Sequence, residues 1–229
     1  MQHLFEHALY INLDSRPDRN EQALKQFELM GITAQRVSGV DTTGLIPKGQ
    51  PGSPGMLGCG LSHLKCVTIA KENNWDYVCI FEDDVEFLNP ALLKENLQKF
   101  LNDPSSPDWD VLMLGANLQQ SNKPNPPNVM LNDYSILVRR AHSCVAYIVK
   151  KRYYDALIRN LKGSTDMLSQ DLTKDGTYAL DVQWVKLQQR NTFIMIIPPT
   201  VTQRKSYSDI SKQDVDHSDV LLDIKKGFR

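Results

Sequence analysis

A five-residue apolar run, Tyr77-Val78-Cys79-Ile80-Phe81, ends abruptly in three acids, Glu82-Asp83-Asp84. A short continuous apolar run suits a central strand buried on both faces, because a half-buried strand would alternate. The acids then stand at the strand's carboxyl end. Three of them there repel one another and lose solvation near the core. A divalent cation would offset both costs, and hard carboxylate oxygens suit magnesium, manganese or calcium. Successive residues of an extended chain point to opposite sides, so Glu82 and Asp84 can face one ion while Asp83 faces away. A solvated strand end with a helix-capping Asp is the alternative for such a triplet taken alone. The buried strand before it, and polar residues at other strand ends, favour the metal.

The rest of the chain supplies the frame for that strand. Ala8 to Leu13 and Ala34 to Val37 predict strands, with a loop over Asp14 to Arg19 and a helix from about Asn20 to Met30 stopped by Gly31. Thr42 to Gly55 is rich in Gly and Pro and reads as a mobile flap. Helices are predicted over Leu57 to Asn73, Pro90 to Leu101, Lys151 to Leu161 and Leu180 to Gln189. Further strands are predicted at Asp110 to Gly115, Tyr134 to Arg139, Val145 to Val149 and Phe193 to Ile197, with a Pro/Asn-rich surface loop at Gln119 to Asp133. The tail from Pro198 reads as irregular until a short helix at Asp219 to Lys225. Strands alternating with helices predict an α/β sandwich around a mostly parallel central sheet, in one domain spanning 1–229. Ligands of such sheets bind beyond the carboxyl ends of the strands. Asp14 to Arg19, Asp41, Glu82 to Asp84 and Gly115 to Asn117 all lie just past strand ends, so the fold would gather them in one crevice.

Composition narrows the classes. The 229 residues carry 26 basic and 27 acidic side chains, a net charge of -1 that argues against a dedicated nucleic-acid binder. The four cysteines, Cys59, Cys66, Cys79 and Cys144, form no C-x-x-C pair, which argues against a zinc ribbon. No signal-like or membrane-length apolar run is visible, so a cytoplasmic placement is expected.

Three weaker features accompany the acids. Arg16 and Arg19, near a helix start, are placed for phosphate, although most such arginines are surface residues. Asp41 can accept hydrogen bonds from a ribose or a base. In Gly58-Cys59-Gly60-Leu61-Ser62-His63 the glycines permit close backbone approach and Ser62 and His63 add donors; a tightly packed helix entry with a structural His63 reads equally well.

Taken in order, Tyr10-Ile11-Asn12-Leu13-Asp14-Ser15-Arg16-Pro17-Asp18-Arg19, Gly58 to His63, Phe81-Glu82-Asp83-Asp84-Val85, Ala146-Tyr147-Ile148-Val149 and Gln203 to Ile210 resemble glycosyltransferase family 25. That family includes lipooligosaccharide and procollagen galactosyltransferases, and compact members occur in bacteria and large DNA viruses. The resemblance implies a GT-A-type, Rossmann-like α/β sandwich, a UDP-sugar donor, Mn2+ (or Mg2+), and inversion at the anomeric carbon. It implies a glycan or protein acceptor and admits a homodimer. By the same resemblance Glu82 and Asp84 hold the metal, and Asp83 lies with them in the donor site. Asn12, Arg16 and Arg19 lie by the nucleotide and Asp41 near the uridine. Ser62 and His63 fall on the donor side, and Gln203, Ser206, Ser208 and Asp209 close over the diphosphate. Asp181 resembles a late acidic position near the acceptor and is the candidate catalytic base, though it reads equally as a helix N-cap before Val182. Met56 stands where the family often has an acid.

Together these features predict an inverting hexosyltransferase using UDP-galactose or UDP-glucose. A nucleotide-sugar binding protein without turnover, and a nucleotidyltransferase, are the alternatives. A missing Gly-rich triphosphate loop after the first strand weighs against the latter.

Overall fold

The computed structural model describes residues 2–45, 51–121, 124–210 and 213–228. In chain order the elements are β1 (Ala8–Asn12), α1 (Pro17–Met30), β2 (Ala34–Ser38), α2 (Pro54–Glu72), β3 (Tyr77–Glu82), β4 (Val85–Phe87), α3 (Pro90–Asn102) and β5 (Val111–Leu118). There follow β6 (Val129–Asn132), β7 (Ser135–Val138), β8 (Ala141–Lys150) and α4 (Tyr154–Gln170). Three one-turn helices come next, α5 (Asp175–Tyr178), α6 (Leu180–Gln183) and α7 (Val185–Gln188). The chain ends with β9 (Phe193–Ile196), β10 (Val201–Gln203), β11 (Ser206–Ser208), β12 (Gln213–Val215) and α8 (Ser218–Leu222).

Eight strands form one sheet in the order β2-β1-β3-β8-β5-β9-β7-β6. β1 is parallel to both β2 and β3, and β5 is parallel to β9. β8 lies antiparallel between β3 and β5, and β7 antiparallel between β9 and β6. Strands β8 and β7 thus run against the common direction of the rest, and the carboxyl ends of β1, β2, β3 and β5 face the same edge. The fold is the expected mixed α/β sandwich.

Both sheet faces are covered, as the continuous apolar runs require. Along β3, Val78 and Ile80 point to one face, under Cys66, Val67 and Ala70 of α2 and Leu157 and Leu161 of α4. Cys79 and Phe81 point to the other, under Ala23 and Phe27 of α1 and Leu93 and Leu97 of α3. This is the two-residue alternation of a strand read from both sides. Phe81 and Phe27 meet at 5.2 Å between ring centroids and fix α1 against the strand that carries the acids. Gly31 ends α1 with φ +63°, a left-handed conformation in which its N–H reaches the Glu28 carbonyl.

Several elements differ from the sequence expectations. α1 begins at Pro17, not near Asn20, because a first-turn proline loses no helical hydrogen bond. α2 likewise begins at Pro54, inside the expected flap; residues 46–50 of that flap lie outside the described residues. The Gln119 to Asp133 loop contains β6, which pairs with β7. α4 continues to Gln170, well past Leu161. The single helix expected over Leu180 to Gln189 is two one-turn pieces, α6 and α7, with Trp184 between them. The tail is not irregular: β10 pairs with β4, and β11 pairs with β12. No helix among the described residues is long and apolar enough to cross a membrane.

Candidate functional site

The carboxyl ends of β1, β2 and β3 open into a crevice of about 440 Å3. Its walls include Arg16 at the N-cap of α1, Arg19 in its first turn, Asp41 beyond β2, and Gly58, Ser62 and His63 from α2. Glu82, Asp83 and Asp84 form its floor, and Gln203, Ser208 and Asp209 enter from the tail. Asn12 and Ser206 stand directly behind this lining, bonded to Asp83 and Arg19. All the residues expected at the donor site are therefore brought together, from five separate parts of the chain.

Only Glu82 is in extended chain; Asp83 and Asp84 form the turn between β3 and β4, and that turn, rather than strand alternation, sets where the acids point. Glu82 and Asp84 both turn toward one atom, Gln203 Nε2, which donates to Glu82 Oε2 at 2.9 Å and Asp84 Oδ1 at 3.4 Å. Asp83 turns aside, accepting from Asn12 Nδ2 at 2.7 Å and Arg19 Nη1 at 2.8 Å. The Asp84 carboxyl is pushed up to about 7, first by burial and then by the charge of Glu82, with Arg19 opposing. A carboxyl that resists ionisation beside a second one marks a place where positive charge is wanted. Two carboxylate oxygens converging on one point are a donor set that fits a hard divalent cation.

The arginines are engaged with protein acids. Arg19 also reaches Asp84 at 3.3 Å and donates to Ser206 Oγ and the Tyr207 carbonyl. Arg16 bridges Asp18 and Asp209. These bonds clip the tail onto the acidic floor. Arg19 Nε is buried and has no hydrogen-bond partner among the described residues, so one donor of that guanidinium is left over.

Ser62 and His63 line the crevice and are also bonded into the fold around it. Ser62 Oγ donates to the Gly58 carbonyl and accepts from Val40 N–H, which ties α2 to the turn after β2. Gly58 is required there, since a Cβ would meet the Val40 carbonyl and lie 2.6 Å from Thr42 Oγ1. His63 is fully buried, with Nδ1 2.8 Å from Tyr147 Oη and Nε2 3.3 Å from Glu82 Oε1.

Asp181 lies in a second chamber of about 280 Å3, whose walls include Asn117, His142, Ser143 and Cys144. It shares Met56, Cys59, Glu82, Gln203, Ile210 and His217 with the first, so the two are halves of one cleft. Asp181 does not cap its helix; Ala179 holds that position, and Asp181 Oδ2 accepts from Ser143 N–H at 3.1 Å. Ser143 adopts φ 68°, unusual for a residue with a side chain, where β8 and β5 lose register. Burial holds the neighbouring His142 imidazole below its ordinary value, opposed by the Asp181 charge. His142, Ser143 and His217 escaped the sequence reading, because no spacing links them to Asp181; the lone signal was a His-Ser pair interrupting an apolar strand.

An α/β sheet with a divided, carboxylate-floored cleft at its strand ends defines the class: a Rossmann-like α/β protein. The profile of glycosyltransferase family 25 (LPS biosynthesis protein) matches residues 5–174, and the chain belongs to that family. It is 29% identical to procollagen galactosyltransferase 1-A of Xenopus laevis over 156 residues, 57% of this chain and 25% of that one. It is 26% identical to procollagen galactosyltransferase 2 of Homo sapiens over the same share of each. The chain thus matches about a quarter of the length of these relatives. Among solved structures, a glycosyltransferase involved in glycosylation of the major capsid of PBCV-1 superposes with TM-score 0.44 at 10% identity, covering 84% of this chain and 81% of that one.

Proposed function

We propose that the protein transfers a hexose, galactose or glucose, from a UDP-sugar to a hydroxyl of a glycan or protein acceptor, with inversion and with dependence on Mn2+ or Mg2+. The observation that carries this reading is the convergence of Glu82 and Asp84 on the single Gln203 amide, inside a crevice walled by Arg16 and Arg19. Glu82 and Asp84 would hold the cation, with Gln203 swinging aside to donate to the donor diphosphate. When bound, a divalent cation neutralises charge on the departing nucleotide diphosphate.

The protein's own groups do the rest. Arg19 adds a fixed positive charge to the same wall. Asn12 and Arg19 hold Asp83 away from the Glu82–Asp84 pair. Asp41, beyond β2, would receive the nucleoside. The second chamber would seat the acceptor, with Asp181 as the base that takes its hydroxyl proton during in-line attack. Ser143 N–H orients that carboxylate.

The test is UDP release from a panel of UDP-sugars, with manganese and with a chelator. Release that one sugar supports and the chelator abolishes bears the reading out. Absence of both release and UDP binding overturns it.

A further inference from the structure

Cys59 and His63 stand four residues apart on α2 and so project from one face of the helix. Cys59 Sγ, His63 Nε2 and a Glu82 carboxylate oxygen lie within 4.8 Å of one another. Glu82 Oε1 is 3.3 Å from the imidazole nitrogen and 4.0 Å from the sulfur. Zinc bonds of about 2.0–2.3 Å in tetrahedral geometry place ligand atoms roughly 3.3–3.8 Å apart, so small side-chain rotations close the set.

A second observation concerns the imidazole. His63 Nδ1 lies 2.8 Å from Tyr147 Oη, and the two rings stack at 5.7 Å between centroids. A phenol hydroxyl can donate or accept, so it supports either tautomer. With Nδ1–H donated to Tyr147, Nε2 presents its lone pair toward Cys59 and Glu82. Outer partners of this kind fix metal-ligating histidines in place. All three ligand residues line the crevice, which leaves a fourth coordination position open to it.

We propose that Cys59, His63 and Glu82 form a binding site for a thiophilic divalent cation of the zinc class. Binding converts the Cys59 thiol to thiolate and releases one proton to solvent. The sulfur and nitrogen donors separate this site from the all-oxygen pair of Glu82 and Asp84, and Glu82 belongs to both. Loading it therefore withdraws Glu82 from the hard-cation site; that consequence, unlike the binding itself, rests on the proposed transferase reading.

Cobalt(II) titrated into the full chain under thiol-free reducing conditions tests the site. The expected result is a near-ultraviolet thiolate-to-cobalt charge-transfer band that saturates at one equivalent and is displaced by zinc. Cys59→Ser should abolish the band, His63→Gln should weaken cobalt affinity at least about tenfold, and Asp84→Asn should keep it. A wild-type spectrum with oxygen-ligand bands alone, or a band that survives Cys59→Ser, overturns the proposal. Should Cys59→Ser fail to fold, X-ray absorption of the zinc-loaded wild type decides: one sulfur near about 2.3 Å is expected, and a shell without sulfur refutes the site. Neither readout depends on sugar transfer.

Discussion

Gln203 Nε2 lies 2.9 Å from Glu82 Oε2, joining the tail of the chain to the acidic floor across 121 residues. The family profile stops at residue 174, yet the residue that bridges the two inward acids comes from beyond it. The amide fills the place where the acids' repulsion is worst, and it is neutral, so it relieves the repulsion without cancelling it. Replacing Gln203 with Ala should destabilise the metal-free protein by about 1–3 kcal/mol, the usual cost of stripping a buried polar group of its partner. Manganese should then raise the Tm of Gln203→Ala by more than it raises that of the wild type. Equal shifts in the two proteins would show that the amide and the cation do not occupy one place.

Asp84 carries a pH dependence whose sign follows from its raised carboxyl. Its ordinary value is 3.8 and in the fold it is pushed up to about 7. Below about pH 4 the group is protonated folded or unfolded and contributes no slope. Between about pH 4 and 7 the native state keeps a proton that the unfolded chain releases, so stability falls as pH rises. In chelator, the wild type should lose Tm across that window, while Asp84→Asn should be flatter and more stable at neutral pH. Each kcal/mol recovered corresponds to about 2–4 °C for a chain of this size. A wild-type Tm that rises from pH 4 to 7 along a curve parallel to that of the variant would sink the assignment.

Removing the same acid should abolish function without unfolding. Asp84→Ala is expected to retain a cooperative melt and to lose about 100- to 1000-fold in turnover, the scale of losing a preorganised electrostatic contact. Normal turnover in a folded Asp84→Ala protein would exclude Asp84 from metal binding.

Gly58 offers a steric probe of the crevice wall. A methyl group there would press on the Val40 carbonyl and on Thr42 Oγ1, both at the turn that leads to Asp41. Gly58→Ala should cost about 1–3 kcal/mol in overpacking and should weaken UDP binding by moving that turn. Calorimetric titration with UDP checks it; unchanged affinity would mean that the turn does not touch the nucleotide.

What could be read in advance follows a physical divide. The Tyr77–Phe81 run and the Gly31 stop are written in neighbouring residues; Glu82 and Asp84 do face one point, but through the turn at Asp83 and Asp84 rather than through strand alternation. The direction of β8, slotted antiparallel between β3 and β5, depends on connections made through distant parts of the chain. Trp184 breaks the Leu180 to Gln189 helix where its ring is buried and its indole N–H donates to the Ala141 carbonyl, an interaction no helical pattern encodes. Arg16 and Arg19 were expected to await phosphate; the fold shows them engaged by Asp209, Asp83 and Asp84, because the tail's approach to α1 is a tertiary fact. His142 and Ser143 stayed invisible for the same reason, since β8 turns them toward Asp181 from 38 residues away.

That last contact separates the two halves of the proposed reaction. Asp181 lies in the second chamber, and the donor residues Arg16, Arg19 and Asp41 line the first, so donor binding and acceptor deprotonation are assigned to different walls. Asp181→Asn keeps the shape and the oxygen that accepts from Ser143 N–H, while removing the basicity. It should bind UDP with wild-type affinity and respond normally to manganese. Transfer to acceptor should fall by about 100- to 10,000-fold, the range for loss of a general base. Slow hydrolysis of the donor to UDP should fall much less, since water reaches the anomeric carbon without that carboxylate. Should transfer and hydrolysis fall together, Asp181 acts by shaping the cleft; should neither fall, the base is another group in the chamber, with His142 the next to replace.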